Sequence, residues 1–322
     1  MKKDNTINIR FATKEEGQQY IRSNTQYYDR LTQADIDWRV RKEGATLDEL
    51  IALAQKQVQD FTPLQMEMVQ ISVARIEDKL NSLQSQLPIP EEIVFVSTTM
   101  KEESEAREAY TSSNLIFLNA RMLDRLEHIS TYDPDSWPFF LCDLTQLIAH
   151  ELFHCITRHS PTFRKAMYAL IGFTVMDHDI DFPEHVRRMI MANPDVEHID
   201  NYAEFTIHGE KRLCALLPLY CMTWSEASKK AGELARFFSF SDGCLVPLDD
   251  LDKPIHHSLA SDFWDKLGND PNWVSVRNTD YATAPEESLA VNFSYAITAS
   301  NEVYPNPELI AAILDTLKNY KE

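Results

Sequence analysis

The sequence predicts an α+β fold that is mainly helical, with a small mixed sheet. Three observations predict it. Seven glycines in 322 residues are too few for a repeat-rich or barrel-like β architecture. Apolar residues recur at helical spacing along most of the chain, whereas continuous β-branched runs are short and few. No internal repeat and no low-complexity tract interrupts the pattern.

Residues from about 12 to 87 read as helices, and residues 1–90 as an N-terminal helical region that packs without chemistry of its own. Thr13-Lys-Glu-Glu16 and Thr46-Leu-Asp-Glu49 are capping boxes, each opening a helix. Thr62-Pro63 opens a third, whose Leu64, Met68, Ile71, Ile76, Leu80 and Leu83 keep helical spacing until Pro88 and Pro90. Ile93-Val-Phe-Val96 is a continuous apolar run of strand type, and Leu115-Ile-Phe-Leu118 a second, after a turn at Tyr110–Asn114. Asn119–His128 is helical, and Ser136-Trp-Pro138 caps a long helix from about Phe139 to Arg158. A helix follows Ser160-Pro161, and another Pro183, to about Ala192. Residues 202–222 alternate around His208-Gly209 as a hairpin would. A helix over Ser225–Phe237, a loop-rich stretch over Ser239–Asn278, a helix opened by Pro285 and a terminal helix over Glu308–Tyr320 complete the chain.

The long helix carries His150-Glu151-Leu-Phe-His154. Positions i and i+4 share one helix face, so both imidazoles can point at one ion. Glu151 lies about 100° round the helix, beside that ion. Two histidines with an adjacent carboxylate suit a zinc ion, Zn2+, and a general base. About 0.03 such matches arise by chance in a chain of this composition. A catalytic zinc commonly takes three protein ligands. The metzincin pattern, with Gly three and His six residues after the second histidine, is not met: Thr157 and Ser160 stand there and His159 is one residue out of register; a surface or capping role suits it. Glu287, followed by Ala290 and Phe293, can supply the third ligand from another helix: Ala290 permits close approach and Phe293 anchors the face. Glu286, one helix position away, is the rival.

This combination resembles the gluzincin metallopeptidases. Tyr281-Ala-Thr-Ala-Pro285-Glu-Glu287-x-x-Ala290-x-x-Phe293 is similar to their third-ligand helix, and Ala109–Asn119 to the hairpin and edge strand before their active helix. The resemblance covers about a fifth of the chain. It implies a zincin-like metallopeptidase domain over 91–322, with His150, His154 and Glu287 as zinc ligands. It makes Glu151 the general base and Tyr281 an oxyanion donor, and lays an edge strand along the cleft where an extended substrate can pair. The sequence departs from the family in two places. His154 and Glu287 are 133 residues apart (287 − 154), so residues of about 175–278 are expected to fold as an insertion. Val291 stands where many gluzincins carry an acid that holds a zinc histidine, a duty that falls to another group, such as Asp143 or a backbone carbonyl.

Other candidates are weaker. Asp177, His178, Asp179 and Asp181 suit either a second metal or, better, a solvated turn. His256-His257 reads as a surface pair and Cys155 as a small buried apolar residue. No phosphate-binding loop or Gly-x-Ser-x-Gly elbow is present. A formal charge of −19 disfavours nucleic acid and anionic membranes; it reads first as plain solubility, and otherwise favours a cationic or neutral partner, here a peptide or protein substrate. Five cysteines without a C-x-x-C pair imply reduced thiols. No signal peptide is visible and no window reads as a membrane span, so a cytoplasmic protein is expected, with signal-peptide-independent export left open. The competing expectations are a non-catalytic zinc-binding or partner-binding protein on a zincin scaffold, and a plain helical scaffold.

Overall fold

The computed structural model describes residues 6–103, 107–207, 209–232, 235, 237–256, 278–279, 284–298 and 304–321. Its first half builds a mixed sheet between two layers of helix. Strands β1 (Ile9–Phe11), β2 (Val58–Gln59), β3 (Ile93–Thr98), β4 (Ala109–Ser112) and β5 (Leu115–Asn119) form it. β3 pairs in parallel with β1 and β5, and in antiparallel with β2; β4 is an antiparallel edge strand on β5. Alternation along β3 explains its unbroken apolar run. Ile93 and Phe95 belong to the main core, whereas Val94 and Val96 face a second cluster, so both sheet faces are covered.

Helices α1 (Lys14–Ser23), α2 (Thr25–Tyr28), α3 (Gln33–Val40), α4 (Leu47–Gln57) and α5 (Pro63–Ser82) come from the N-terminal region. The capping boxes of α1 and α4 form at Thr13 and Thr46 as their sequence indicates, and Thr62 caps α5 as expected, completing a box with Gln65. α1 lies so close to the sheet that a Cβ on Gly17 would sit 2.7 Å from Val58 Cγ1. The helical reading of residues 12–87 missed β2, and β1 lies just ahead of it; strands this short carry too little periodicity to be read. The sheet therefore draws on both sides of residue 90.

Helix α6 (Ala120–Tyr132) leads to α7 (Trp137–His159), which packs against α5, α6 and β4. The turn ahead of β5 is tighter than expected: Tyr110–Ser112 is strand, and only Ser113-Asn114 turns, Ser113 with φ of 56°. α7 is the one element, among the described residues, long and apolar enough to cross a membrane by length and composition, an exception to the expectation of no such window. Of that window 61% is buried inside the fold, where it packs as core.

After α8 (Pro161–Ala169) comes an antiparallel sheet of β6 (Thr174–Val175), β7 (Asn201–Ile207), β8 (Glu210–Tyr220), β9 (Ser241–Pro247) and β10 (Ile255–His256), in the order β10-β9-β8-β7-β6. The β7–β8 hairpin matches expectation. β9 and β10 do not: this stretch read as loop because Gly243, Pro247 and Pro254 punctuate it. The helix expected after Pro183 shrinks to α9 (Glu184–Arg187), and α10 (Trp224–Ala231) is shorter than the 225–237 expected. The chain then reaches α11 (Pro285–Thr298), which packs along α7, and α12 (Pro307–Asn319), which covers α8 and α11.

Candidate metal centre

The site is formed where α11 lies against α7. Ala290 and Phe293 are fully buried, Phe293 5.3 Å from Phe153 between ring centroids, so α11 approaches α7 closely. That contact delivers two consecutive carboxylates to the histidine face. Glu287 Oε2 lies 3.1 Å from His150 Nε2 and 3.6 Å from His154 Nε2. Glu286 Oε1 lies 3.2 Å from His154 Nδ1, on the opposite side of the same ring. Of the two rival carboxylates, Glu287 therefore faces both histidines and Glu286 orients His154 from behind. Thr157 Oγ1 and Tyr168 OH donate to Glu286 at 2.6 and 2.7 Å. The carboxylate that bonds His154 from behind is thus Glu286, the residue beside Glu287, and not Asp143, which is exposed.

The electrostatics follow from burial and from these contacts. Burial opposes ionisation of Glu287, but the two histidines outweigh it and hold its carboxyl well below the usual range. Burial likewise works against protonated His154; its flanking carboxylates overcome that and raise its pKa well above the ordinary value. Glu151 is the reverse case: burial pushes its carboxyl well up, and Asp195 adds to the shift.

The ligand atoms of His150, His154 and Glu287 all lie within 4.8 Å of one another, as do those of Glu151, His154 and Asp195. His154 Nε2 and Glu151 Oε2 are buried without a hydrogen-bond partner. Buried polar atoms are ordinarily paired. Two imidazole nitrogens and a carboxylate oxygen form a donor set that suits zinc, so the residues fit such an ion.

Three residues of this site were not legible in the sequence. Asn193 Nδ2 donates to Glu287 Oε1, leaving Oε2 to face the histidines. Arg107 Nη2 donates to Asn193 Oδ1 at 2.9 Å, and its Nη1 pairs with Asp195 Oδ2 at 3.1 Å. Asn193-Pro194-Asp195 carries a turn signal but nothing that ties it to a helix some forty positions earlier.

Of the remaining candidates, Tyr281, His208 and His257 lie outside the described residues. His159 is exposed at the end of α7. Asp177 and Asp181 are almost fully exposed, with Asp177 paired to Lys165 and Asp179 to His198, as a solvated turn would be. Cys155 is buried, and burial pushes its thiol up to about 12. Of the other cysteines, Cys142 and Cys221 are exposed, and Cys214 and Cys244 are buried. Compared with models of protein families, with curated protein sequences and with solved structures, the chain matches none.

Proposed function

We propose that the chain is a zinc-dependent metallopeptidase of gluzincin type, hydrolysing peptide bonds with Glu151 as general base. The observation that carries the reading is the pair of orphaned buried atoms, His154 Nε2 and Glu151 Oε2, beside a contact between His150 and Glu287. The layout supports the scaffold: a mixed sheet whose antiparallel edge strand packs on the motif helix, with the Glu287 helix alongside.

His150, His154 and Glu287 would hold the ion. Bound zinc supplies Lewis-acid polarisation and a lowered pKa for water. Glu286 keeps the His154 ring turned so that Nε2, not Nδ1, faces the site. Glu151 Oε2 takes a proton from the attacking water and delivers it to the leaving amine nitrogen. Tyr281 is the proposed donor to the oxyanion developing on the scissile carbonyl.

Glu151→Gln keeps the shape of the side chain and removes its basicity. The expected outcome is unchanged zinc stoichiometry by metal analysis, with turnover of a peptide library lost; retained cleavage sinks the mechanism. A second reading, a protein that holds zinc without catalysis, draws on Asp195, whose carboxylate lies near His154 and Glu151 and could close the coordination shell. Stoichiometric zinc with no cleavage of any peptide favours that reading.

A further inference from the structure

An antiparallel edge strand presents outward N–H and C=O groups to which an extended peptide can add. On β4 the outward N–H of Thr111 is already taken by the chain itself, as is the Ser113 carbonyl in the turn that follows. The Thr111 backbone N–H donates to Asp195 Oδ1 at 2.6 Å, and the Thr111 hydroxyl donates to the same oxygen at 2.8 Å. Arg158 Nη1 donates to the Ser113 carbonyl at 2.9 Å.

The segment that does this, Asn193–Glu197, is anchored along its whole length. Asn193 is bonded to Glu287 and Arg107, and Asp195 to Arg107 and Thr111. The Pro194 carbonyl accepts from Arg158, the Val196 carbonyl from Arg30, and Glu197 pairs with Arg158. Asn193, Pro194 and Asp195 are buried. The segment's lead-in is fixed too: Ala192 N–H donates to Asp35 Oδ1, and Arg39 Nη2 donates to the Ala192 carbonyl. Anchors from this many separate elements describe a wall, not a lid.

We propose that Asn193–Glu197 is a fixed stopper on β4 and that Asp195 determines specificity, restricting the site to short peptides and chain ends. The proposal rests on the peptidase reading and names its substrate class. A long chain running through the site would need the Thr111 N–H that Asp195 holds; a short peptide, anchored by few residues, does not. The outer face of the same segment lines a separate cavity of about 510 Å³ behind His154, with Glu286, Arg164 and Tyr168 and without His150, Glu151 or Glu287, so that space is not the substrate cleft.

The test uses the full-length zinc-loaded protein with casein, either intact and denatured or first digested with trypsin, and reads new termini by mass spectrometry. Wild type is expected to cut the short peptides at least about 100-fold faster per bond than intact casein, a ratio that reports differential transition-state binding. In Asp195→Ala that ratio falls at least about tenfold, mainly through a lower apparent KM for intact casein. Because that variant risks misfolding, hydrogen exchange is also followed in Glu151→Gln with the peptide digest bound: residues 193–197 are expected to stay protected. Equal rates on intact and digested casein, or loss of protection over 193–197 on binding, overturn the stopper and leave the peptidase reading standing. Stoichiometric zinc with cleavage of neither substrate overturns the peptidase reading and the stopper with it.

Discussion

At the scale of single residues, the site depends on partners two layers deep. Glu287 is turned toward the histidines by Asn193, and such outer partners typically tune metal affinity 10–100-fold. Asn193→Ala is therefore expected to weaken zinc about tenfold or more, read by competition with a chelator, while Asn193→Asp sets a second carboxylate against Glu287 and weakens it further. A different buried carboxylate makes stability depend on pH. Glu102 accepts from Thr98 Oγ1 at 2.6 Å, and burial raises its pKa from 4.5 to about 7. The folded state thus holds this proton more tightly than the unfolded chain does. Its contribution is fully present below about pH 4.5 and is lost as the pH rises through 7, at a cost of about 3 kcal/mol at most. Urea unfolding at pH 5 and pH 8 is expected to show that fall in wild type and a flatter profile in Glu102→Gln; equal slopes would refute the assignment. None of these partners was legible beforehand. His150, Glu151 and His154 could be read because their relation is local and helical, whereas Asn193, Asp195 and Arg107 meet the site only through tertiary folding.

At the scale of elements, the approach of α11 to α7 decides whether the two histidines meet Glu287. Ala290 is fully buried at that contact. Ala290→Leu adds volume where there is no space and is expected to cost about 1–3 kcal/mol. It should also weaken zinc, because it pushes the carboxylates back. Gly17→Ala is the control: its Cβ would crowd Val58 and Val96 on the far side of the sheet. A similar loss of stability is expected there with zinc affinity unchanged, and equal zinc affinity in both variants would show that the α7–α11 spacing is not what sets it. The helices were legible where a cap met a periodic apolar face, as at Thr62-Pro63. Which of Glu286 and Glu287 points inward was not, because a step of one residue turns the side chain by about 100° and only packing selects the bearing. β9 was missed for another reason: glycine and prolines break its pattern, and its partner β8 supplies the order.

At the scale of the whole molecule, the N-terminal region is part of the structure around the site. α5 packs on both α7 and α11, and β1 and β2 complete the mixed sheet. Arg39, fully buried, binds Asp35 and Glu103, while Arg107 reaches Glu103 and Asp195. A buried chain of alternating charge thus runs from α3 to the candidate metal centre. Trp38 stacks on Tyr220 and so joins α3 to the antiparallel sheet. Removing one member of such a network strands the others at several kcal/mol. Residues 91–322 expressed alone are therefore expected to lack a cooperative unfolding transition and to bind zinc substoichiometrically. A fragment with the parent's melting behaviour and one zinc per chain would contradict this. A division near residue 90, drawn from the prolines at 88 and 90, does not reveal that the sheet spans it, since strand pairing across some eighty residues leaves no local mark.

The tandem of Glu286 and Glu287 carries one more consequence. The two side chains leave α11 on different bearings: Glu286 bonds His154 Nδ1 at 3.2 Å, and Glu287 faces Nε2 of the same ring from 3.6 Å. They act as a compass fix on the helix, setting its azimuth as well as its distance. A residue inserted between Glu287 and Ala290 would swing the pair by about 100° relative to the face anchored by Phe293. Both bearings would be lost in that single step, so substitution within this turn can be graded in its effect, whereas a change of length is all or none.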